Sequence, residues 1–284
     1  MSSKVSVVIS AYNRPDYLQA SLESVIKQTI PIHEIIVVDD CSATPLSPII
    51  NKFKALNIRY FKSKNNLGAN HSRNVGIENA TGEWIAFLDD DDVWLPNKIE
   101  IQLDNINKFK GAIGSLCSYR YLDDNSSRIN APTTLKVNLD SSRVGNIYCG
   151  MSGFFIKRET LLDCKLDEEL PCGQDWDLLI RLCFLGELLY EKQELFLYRK
   201  GNHEGITTKA KKLKIEQIYP RLKSAYKHRV WMGEKAFKRR IAEQVLLYIL
   251  DKNQRYKWIL KSIELAGINA TLLVLFVKIK KRVI

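Results

Sequence analysis

Short apolar runs alternate along the first hundred residues with segments whose apolar positions recur every three or four residues. Residues 4–10 form a β-branched run of the length of a buried parallel strand, and 34–38, 58–62 and 83–88 repeat that pattern. Between the first two, Pro15 suits the first turn of a helix, and Leu18, Leu22, Val25 and Ile26 follow on one helical face. Residues 48–56 and 72–80 supply two further helices, the second closed by Thr81 and Gly82. The order β-α-β-α-β-α-β predicts right-handed crossovers and an open, mostly parallel sheet covered by helices. Further on, the pattern predicts helices at 99–109 and 175–185 and strands at 115–122 and 154–157, with a polar stretch at 123–146. Beyond residue 208 it predicts helices at 209–227 and 239–250.

In sheets of this kind ligands sit at the carboxyl ends of the strands. Three predicted strands end in polar clusters there: Ser10 to Asn13, Asp39 with Asp40, and the four carboxylates Asp89, Asp90, Asp91 and Asp92. Four adjacent carboxylates repel one another unless a cation offsets them, and hard oxygen donors suit Mg²⁺ or Mn²⁺ held together with substrate phosphates. Without a cation the same run is a solvated acidic turn. Tyr12 offers an aromatic face for a base, and Asp39 or Asp40 could accept hydrogen bonds from a base or ribose. Gly68 allows close backbone approach, and Arg73 could meet phosphate or form an ordinary ion pair.

The chain has 284 residues, 45% hydrophobic, enough for one large domain or one domain with an appendage. Its net charge of +11 is uneven. Residues 1–208 hold 23 basic against 27 acidic side chains, net −4, and residues 209–284 hold 20 against 5, net +15. The expected division is therefore a mildly acidic body at 1–208 followed by a basic helical extension at 209–284. The extension is expected to meet an anionic surface. No apolar run reaches about 18 residues, and the start lacks a signal-peptide layout, so a cytoplasmic location with reduced thiols at the six cysteines is expected.

The run VSVVISAYN at 5–13, VDDCS at 38–42, Asn66-x-Gly68 with SRNVG at 72–76, and GEWIAFLDDDD at 82–92 together resemble the family 2 glycosyltransferases. The likeness extends in order to about residue 200. It implies the GT-A (Rossmann-like) α/β fold, with a catalytic domain at 1–208 whose nucleotide-sugar half is about 1–110 and whose acceptor half is about 111–208, and inverting transfer of a sugar from a nucleotide-sugar donor by a hexosyl- or N-acetylhexosaminyltransferase. By that resemblance Ser10, Tyr12 and Asp40 hold the uridine of a UDP-sugar, with Asp39 close by. Asp89-x-Asp91 corresponds to the family's D-x-D element, in which Asp91 binds the metal while Asp89 and Asp90 face ribose and diphosphate. GMSG at 150–153 is similar to the segment lining the acceptor pocket, which brings in Gly150, Met151 and Ser152. GQDWDL at 173–178 resembles the E-D-x-D-L motif with Gln174 in place of Glu; it implies Asp175 as general base, Asp177 as the competing candidate and Trp176 as an acceptor contact. YRKGNH at 198–203 resembles the end of the catalytic domain, with His203 a further metal or phosphate ligand or a solvent-facing loop residue.

The acceptor expected from the resemblance and the basic tail is a glycan or lipid-linked glycan of bacterial surface polysaccharide (O-antigen or capsule), reached at the inner face of the plasma membrane. Residues 265–277 are apolar and flanked by Lys278, Lys280, Lys281 and Arg282. They are too short to span a bilayer, and either lie at its interface or pack on the core. Nucleic acid is not an expected partner. Two other classes stay open on the residues alone: an Mg²⁺-dependent nucleotidyltransferase, which would release pyrophosphate, and a non-catalytic sugar-nucleotide-binding protein.

Overall fold

A computed structural model gives the structure and describes residues 3–53, 57–123, 125–127, 132–200 and 210–283. The chain divides into two compact units. The first comprises Met1–Asn138, Asn146–Glu168 and Leu178–Gly201, and the second Leu139–Gly145, Glu169–Asp177 and Asn202–Ile284. The second unit thus takes in two short segments from the middle of the chain as well as the basic extension.

The first unit is built on β1 (Val5–Ala11), β2 (Glu34–Asp39), β3 (Ile58–Lys62), β4 (Trp84–Asp89), β5 (Val93–Trp94), β6 (Gly114–Tyr121), β7 (Phe155–Lys157) and β8 (Leu188–Tyr198). These form one sheet in the order β3-β2-β1-β4-β7-β6-β8-β5. β1 to β4 pair in parallel, as expected. β7 runs antiparallel to both β4 and β6, and β5 antiparallel to β8, so the far half of the sheet is mixed. Helices α1 (Pro15–Ile26), α2 (Ser47–Ile50), α3 (Ala69–Asn79), α4 (Lys98–Lys108), α5 (Arg158–Asp163) and α6 (Gln174–Leu185) connect the strands, and the boundary between the units falls inside α6.

β1 and β2 are buried along their whole length, which is why their sequences are unbroken apolar runs and not alternating ones. On α1, Leu18, Leu22 and Val25 are fully buried, whereas Ile26 is 44% exposed, lying off the stripe at the helix end. Gly76 lets α3 lie close on β1: a Cβ there would stand 2.3 Å from the Val8 side chain. The helix expected at 48–56 is a four-residue turn followed by a 3-10 turn at Asn51–Phe53, with 54–56 outside the described residues.

In the second unit lie α7 (Tyr219–Lys227), α8 (Arg229–Val245), α9 (Arg255–Ala266) and α10 (Ile268–Val283). The helix expected at 209–227 is interrupted: Ala210 and Lys211 are helical, a 3-10 turn follows at Ile215–Gln217, and a continuous helix starts at Tyr219, where Pro220, lacking an N–H, takes the first turn and not an interior. The apolar stretch 265–277 is likewise divided: Gly267, at φ 84, ends α9, and α10 starts at Ile268. Among the described residues no helix is long and apolar enough to cross a membrane.

Opposite the strand ends that carry the polar clusters, Glu34 is buried at the start of β2. It accepts hydrogen bonds from Ser6 Oγ at 2.7 Å, from Thr81 N at 2.6 Å and Thr81 Oγ1 at 2.7 Å, and pairs with Arg59 at 3.2 Å. Burial pushes its carboxyl up, but the bonds from Thr81, Ser6 and Arg59 outweigh that and bring it to about 2. A carboxyl held below its unfolded value stabilises the fold above that value and loses the contribution as pH falls toward 2. Glu34→Gln should therefore lower stability at pH 7 by about 2–3 kcal/mol and flatten the acid limb between pH 4.5 and 2. Urea unfolding of both proteins across that range checks this.

Candidate functional site

The register of the sheet levels the ends of three strands: Ser10 lies opposite Asp89 on β4, and Ala11 opposite Asp39 on β2. Tyr12, just past β1, is 42% exposed, its ring accessible beside the strand ends. Asn13 follows in the left-handed region at φ 54, and Cys41, after β2, is there too at φ 66. Such conformations cost free energy and persist where surrounding bonds fix them. Here Asn13 N–H donates to Ser42 Oγ at 2.8 Å, and Asn13 Oδ1 accepts from Ala43 N–H at 2.7 Å. The two loops are thereby tied together.

Asp39 is fully buried; it accepts from Ser42 N–H at 2.8 Å and from the Tyr60 hydroxyl at 2.6 Å. Asp40 accepts from the Leu67 and Gly68 N–H groups, each at 2.8 Å, which clamps the loop before α3. Gly68 itself sits at φ 94, a conformation other residues adopt only under strain. Ser10 is buried at the strand end.

Behind β4, Asp89 to Asp92 make a β-turn closed by the Asp92 N–H to the Asp89 carbonyl at 3.1 Å. Ser21 Oγ donates to the carbonyls of Asp90 and Asp92 at 2.9 and 2.7 Å, holding the turn from α1. The turn sends the four side chains to different partners. Asp89 pairs with the buried Arg73 at 2.5 Å. Asp90 is fully buried, accepts from Tyr12 N–H at 3.0 Å and pairs with Arg14. Asp91 pairs with the same guanidinium at 2.6 Å. Asp92, also buried, accepts from Ser152 Oγ at 2.6 Å and from Arg199 N–H at 3.0 Å.

Burial pushes the Asp90 carboxyl up to about 7, with Arg14 opposing and Asp91 adding. Burial also drives Asp92 well above the usual carboxylate range, and the charges of Asp91 and Asp89 push it further. Asp89, Asp91 and Asp92 can each offer one oxygen within 4.8 Å of the others. An all-carboxylate donor set fits a hard divalent cation such as Mg²⁺ or Mn²⁺. Asp89 and Asp91 of the predicted D-x-D element are in this group; Asp90 is turned away from it into the end of β1.

Of the residues expected to meet an acceptor, Gly150 is half-buried, and Met151 and Ser152 are buried. Ser152 accepts from Asp89 N–H at 3.0 Å while donating to Asp92, so it braces the acidic turn. Asp175 is half-buried in the first turn of α6, where the helix dipole favours a carboxylate. Trp176 is buried within the second unit, its Nε1–H donating to the Ser142 carbonyl at 2.7 Å, with Arg240 over the ring at 4.7 Å. Asp177 is fully buried and pairs with His228 and Lys227, each at 2.8 Å. His203 lies outside the described residues.

Sequence reasoning gave Arg14 and Arg199 no role, and named Asn13 and Asp92 only as members of polar clusters at strand ends. Asn13 carried a faint signal, since Asn tolerates positive φ. Arg14 and Arg199 carried none, because only the fold brings positions 14 and 199 to a turn at 89–92.

Comparison with known proteins places these features in context. The sequence pattern described as Glycosyl transferase family 2 matches residues 6–164. An uncharacterized glycosyltransferase of Methanocaldococcus jannaschii is 32% identical over 79% of this chain and 80% of its own length. An uncharacterized glycosyltransferase of Rickettsia bellii is 42% identical over 43% of this chain, but that match spans only 18% of the longer relative. The E. coli enzyme WfaP, described as a UDP-Glc:alpha-D-GlcNAc-diphosphoundecaprenol beta-1,3-glucosyltransferase, is 42% identical over 35% of this chain and 39% of its own. Among solved structures, S. aureus TarS 1-349 in complex with UDP-GlcNAc superposes with a TM-score of 0.71 at 19% identity, over 95% of this chain and 84% of that one. That likeness concerns the fold, which is of the GT-A type.

Arg14 and Asp90 form the most deeply buried ion pair of the turn, and removing one member leaves the other uncompensated. Arg14→Gln should destabilise the fold by about 2–4 kcal/mol. Arg14→Gln with Asp90→Asn should cost clearly less than the sum of the two single changes. A double-mutant cycle in urea checks both statements.

Proposed function

The chain belongs to glycosyl transferase family 2, and on that premise we propose that it moves a sugar, with inversion, from a UDP-sugar to an acceptor hydroxyl during assembly of a bacterial surface polysaccharide. The observation that carries this reading is the convergence of Asp89, Asp91 and Asp92 at the end of β4, level with the ends of β1 and β2. A nucleotide-sugar needs a base-binding surface and a charge-compensated diphosphate site next to each other, and Tyr12 with the acidic turn offers both. The UDP named for WfaP and for the TarS complex supports uridine as the base.

In this reading Asp89, Asp91 and Asp92 would hold Mn²⁺ or Mg²⁺, which when bound would supply Lewis-acid stabilisation of the leaving diphosphate. Tyr12 stacks on the uracil. Asp39 and Asp40 act by fixing the loops around it, since their oxygens are already engaged by Ser42, Tyr60, Leu67 and Gly68. Asp175 accepts the proton of the acceptor hydroxyl while that oxygen bonds to the anomeric carbon and the bond from that carbon to the diphosphate breaks. The buried Asp177, clasped by His228 and Lys227, anchors the first turn of α6 from which Asp175 projects. The acceptor is a lipid-linked glycan, a reading supported by the diphosphoundecaprenol substrate named for WfaP.

The tail belongs to the same proposal. α10 buries Thr271 and Val274, and Thr271 Oγ1 lies 2.8 Å from Ser262 Oγ on α9. Its other side exposes Ile268, Leu272, Phe276 and Ile279, spaced as one helical stripe, with Leu272 57% and Phe276 67% exposed. A helix that packs by one side and bares an apolar stripe beside Lys280 suits the interface of an anionic bilayer, as expected at the cytoplasmic face.

Incubation with a panel of UDP-sugars and Mn²⁺ should release UDP and no pyrophosphate; release of pyrophosphate would identify a nucleotidyltransferase instead. Asp91→Ala should abolish transfer and remove the metal dependence of UDP binding. Asp175→Asn should keep donor affinity while turnover falls by about 100-fold or more. Loss of donor affinity in Asp175→Asn would remove it from the role of base. For the tail, Leu272→Gln with Phe276→Gln should keep the fold and release the protein from anionic vesicles in a sedimentation assay, while raised salt alone should reduce but not eliminate binding.

A further inference from the structure

Within the second unit a cavity of about 410 Å³ opens between residues 211–216 and 251–258. Five lysines line it, Lys211, Lys212, Lys214, Lys252 and Lys257, against two carboxylates, Glu216 and Asp251. Among the described residues none of the five lysines has a carboxylate within ion-pair distance. Lys252 is the buried member. Its Nζ donates to the carbonyls of Ala210 and Leu213 at 3.2 and 3.3 Å and stands 4.0 Å over the Trp258 ring. Burial and the neighbouring charge of Arg221 both draw its pKa down.

The cavity also lies at the start of α9, a twelve-residue helix entered through Gln254 in the left-handed conformation. The first N–H groups of a helix and its positive dipole end favour an anion there. Three independent features coincide: a concave space, an excess of lysines over carboxylates with one lysine buried, and a helix N-terminus. We propose that this cavity is a second anion site, for a phosphate or diphosphate group, distinct from the acidic turn of the first unit. The acidic turn requires a cation to accept phosphate; this cavity supplies the positive charge from its own side chains. The phosphate can come from a lipid headgroup or from a soluble phosphate ester, and the chemistry of recognition is the same for both.

The test titrates the full chain with radiolabelled inorganic pyrophosphate by equilibrium dialysis, with divalent cations chelated so that the acidic turn takes no part. Lys212, Lys214 and Lys257 are exposed, and their combined replacement by Gln should leave the melting temperature unchanged. Pyrophosphate should bind the wild type, bind Asp91→Asn equally, and bind the Lys212→Gln, Lys214→Gln, Lys257→Gln protein about 10-fold or more weakly. Equal binding by the wild type and the triple variant, or no binding by the wild type, would overturn the proposal. A second measurement separates the sources: cosedimentation with phosphatidate-containing vesicles, with phosphatidylcholine vesicles as the comparison. Pyrophosphate that displaces the wild type from phosphatidate vesicles assigns the site to a lipid phosphate, and pyrophosphate binding without displacement assigns it to a soluble ester. The dialysis contains no lipid, so its outcome is independent of whether α10 meets a membrane and of whether the first unit transfers sugar.

Discussion

Four carboxylates in one β-turn are the constraint on which the first unit depends. Placed together in a partly buried turn, they would repel one another and resist desolvation. The fold answers with a different partner for each: Arg73 for Asp89, Arg14 for Asp90 and Asp91, and Ser152 with the Arg199 N–H for Asp92. Those partners come from the segment after β1, from α3, from the segment before β7 and from the end of β8. The acidic turn therefore joins distant parts of the chain, and the parts of the site around it are held by the same bonds that make its charge tolerable.

Compensation is incomplete by design of the geometry. Asp90 and Asp92 are buried deeply enough that their carboxyls are pushed upward even with these partners in place. Asp91, more exposed than Asp90, shares Arg14 with it. A cation arriving at Asp89, Asp91 and Asp92 would relieve the repulsion that the protein's own groups only partly offset. The strained Asn13 and Cys41 belong to the same economy of structure: both occur where a strand must stop abruptly, so that its last side chains face the site and do not continue the sheet.

The second unit handles charge in the opposite sense. Its buried carboxylate, Asp177, is matched by His228 and Lys227, while its cavity lysines stand without counterparts among the described residues. An excess of fifteen positive charges beyond residue 208 is thus not spread evenly as a solvated face. Part is gathered around one concavity, and part lies beside the bare apolar stripe of α10.

Periodicity alone determined the strand-helix order of the first hundred residues, because β1, β2 and β4 are buried on both faces and must be continuously apolar, while α1 is buried on one face only. It also brought out the three polar clusters, since a polar run directly after a buried strand has few other places to be than a strand end. It could not divide the extension correctly, because Pro220 and Gly267 act through local backbone geometry that outweighs an apolar or basic pattern. Nor could it tell that Asp90 turns inward, that Ser152 braces the acidic turn, or that Trp176 is buried against Ser142 and Arg240. Adjacent residues in a tight turn look alike in sequence, yet the turn points them in different directions. Which of them meets a cation, an arginine or the core is settled only when segments up to 108 residues apart come into hydrogen-bonding distance, as Asp91 and Arg199 do.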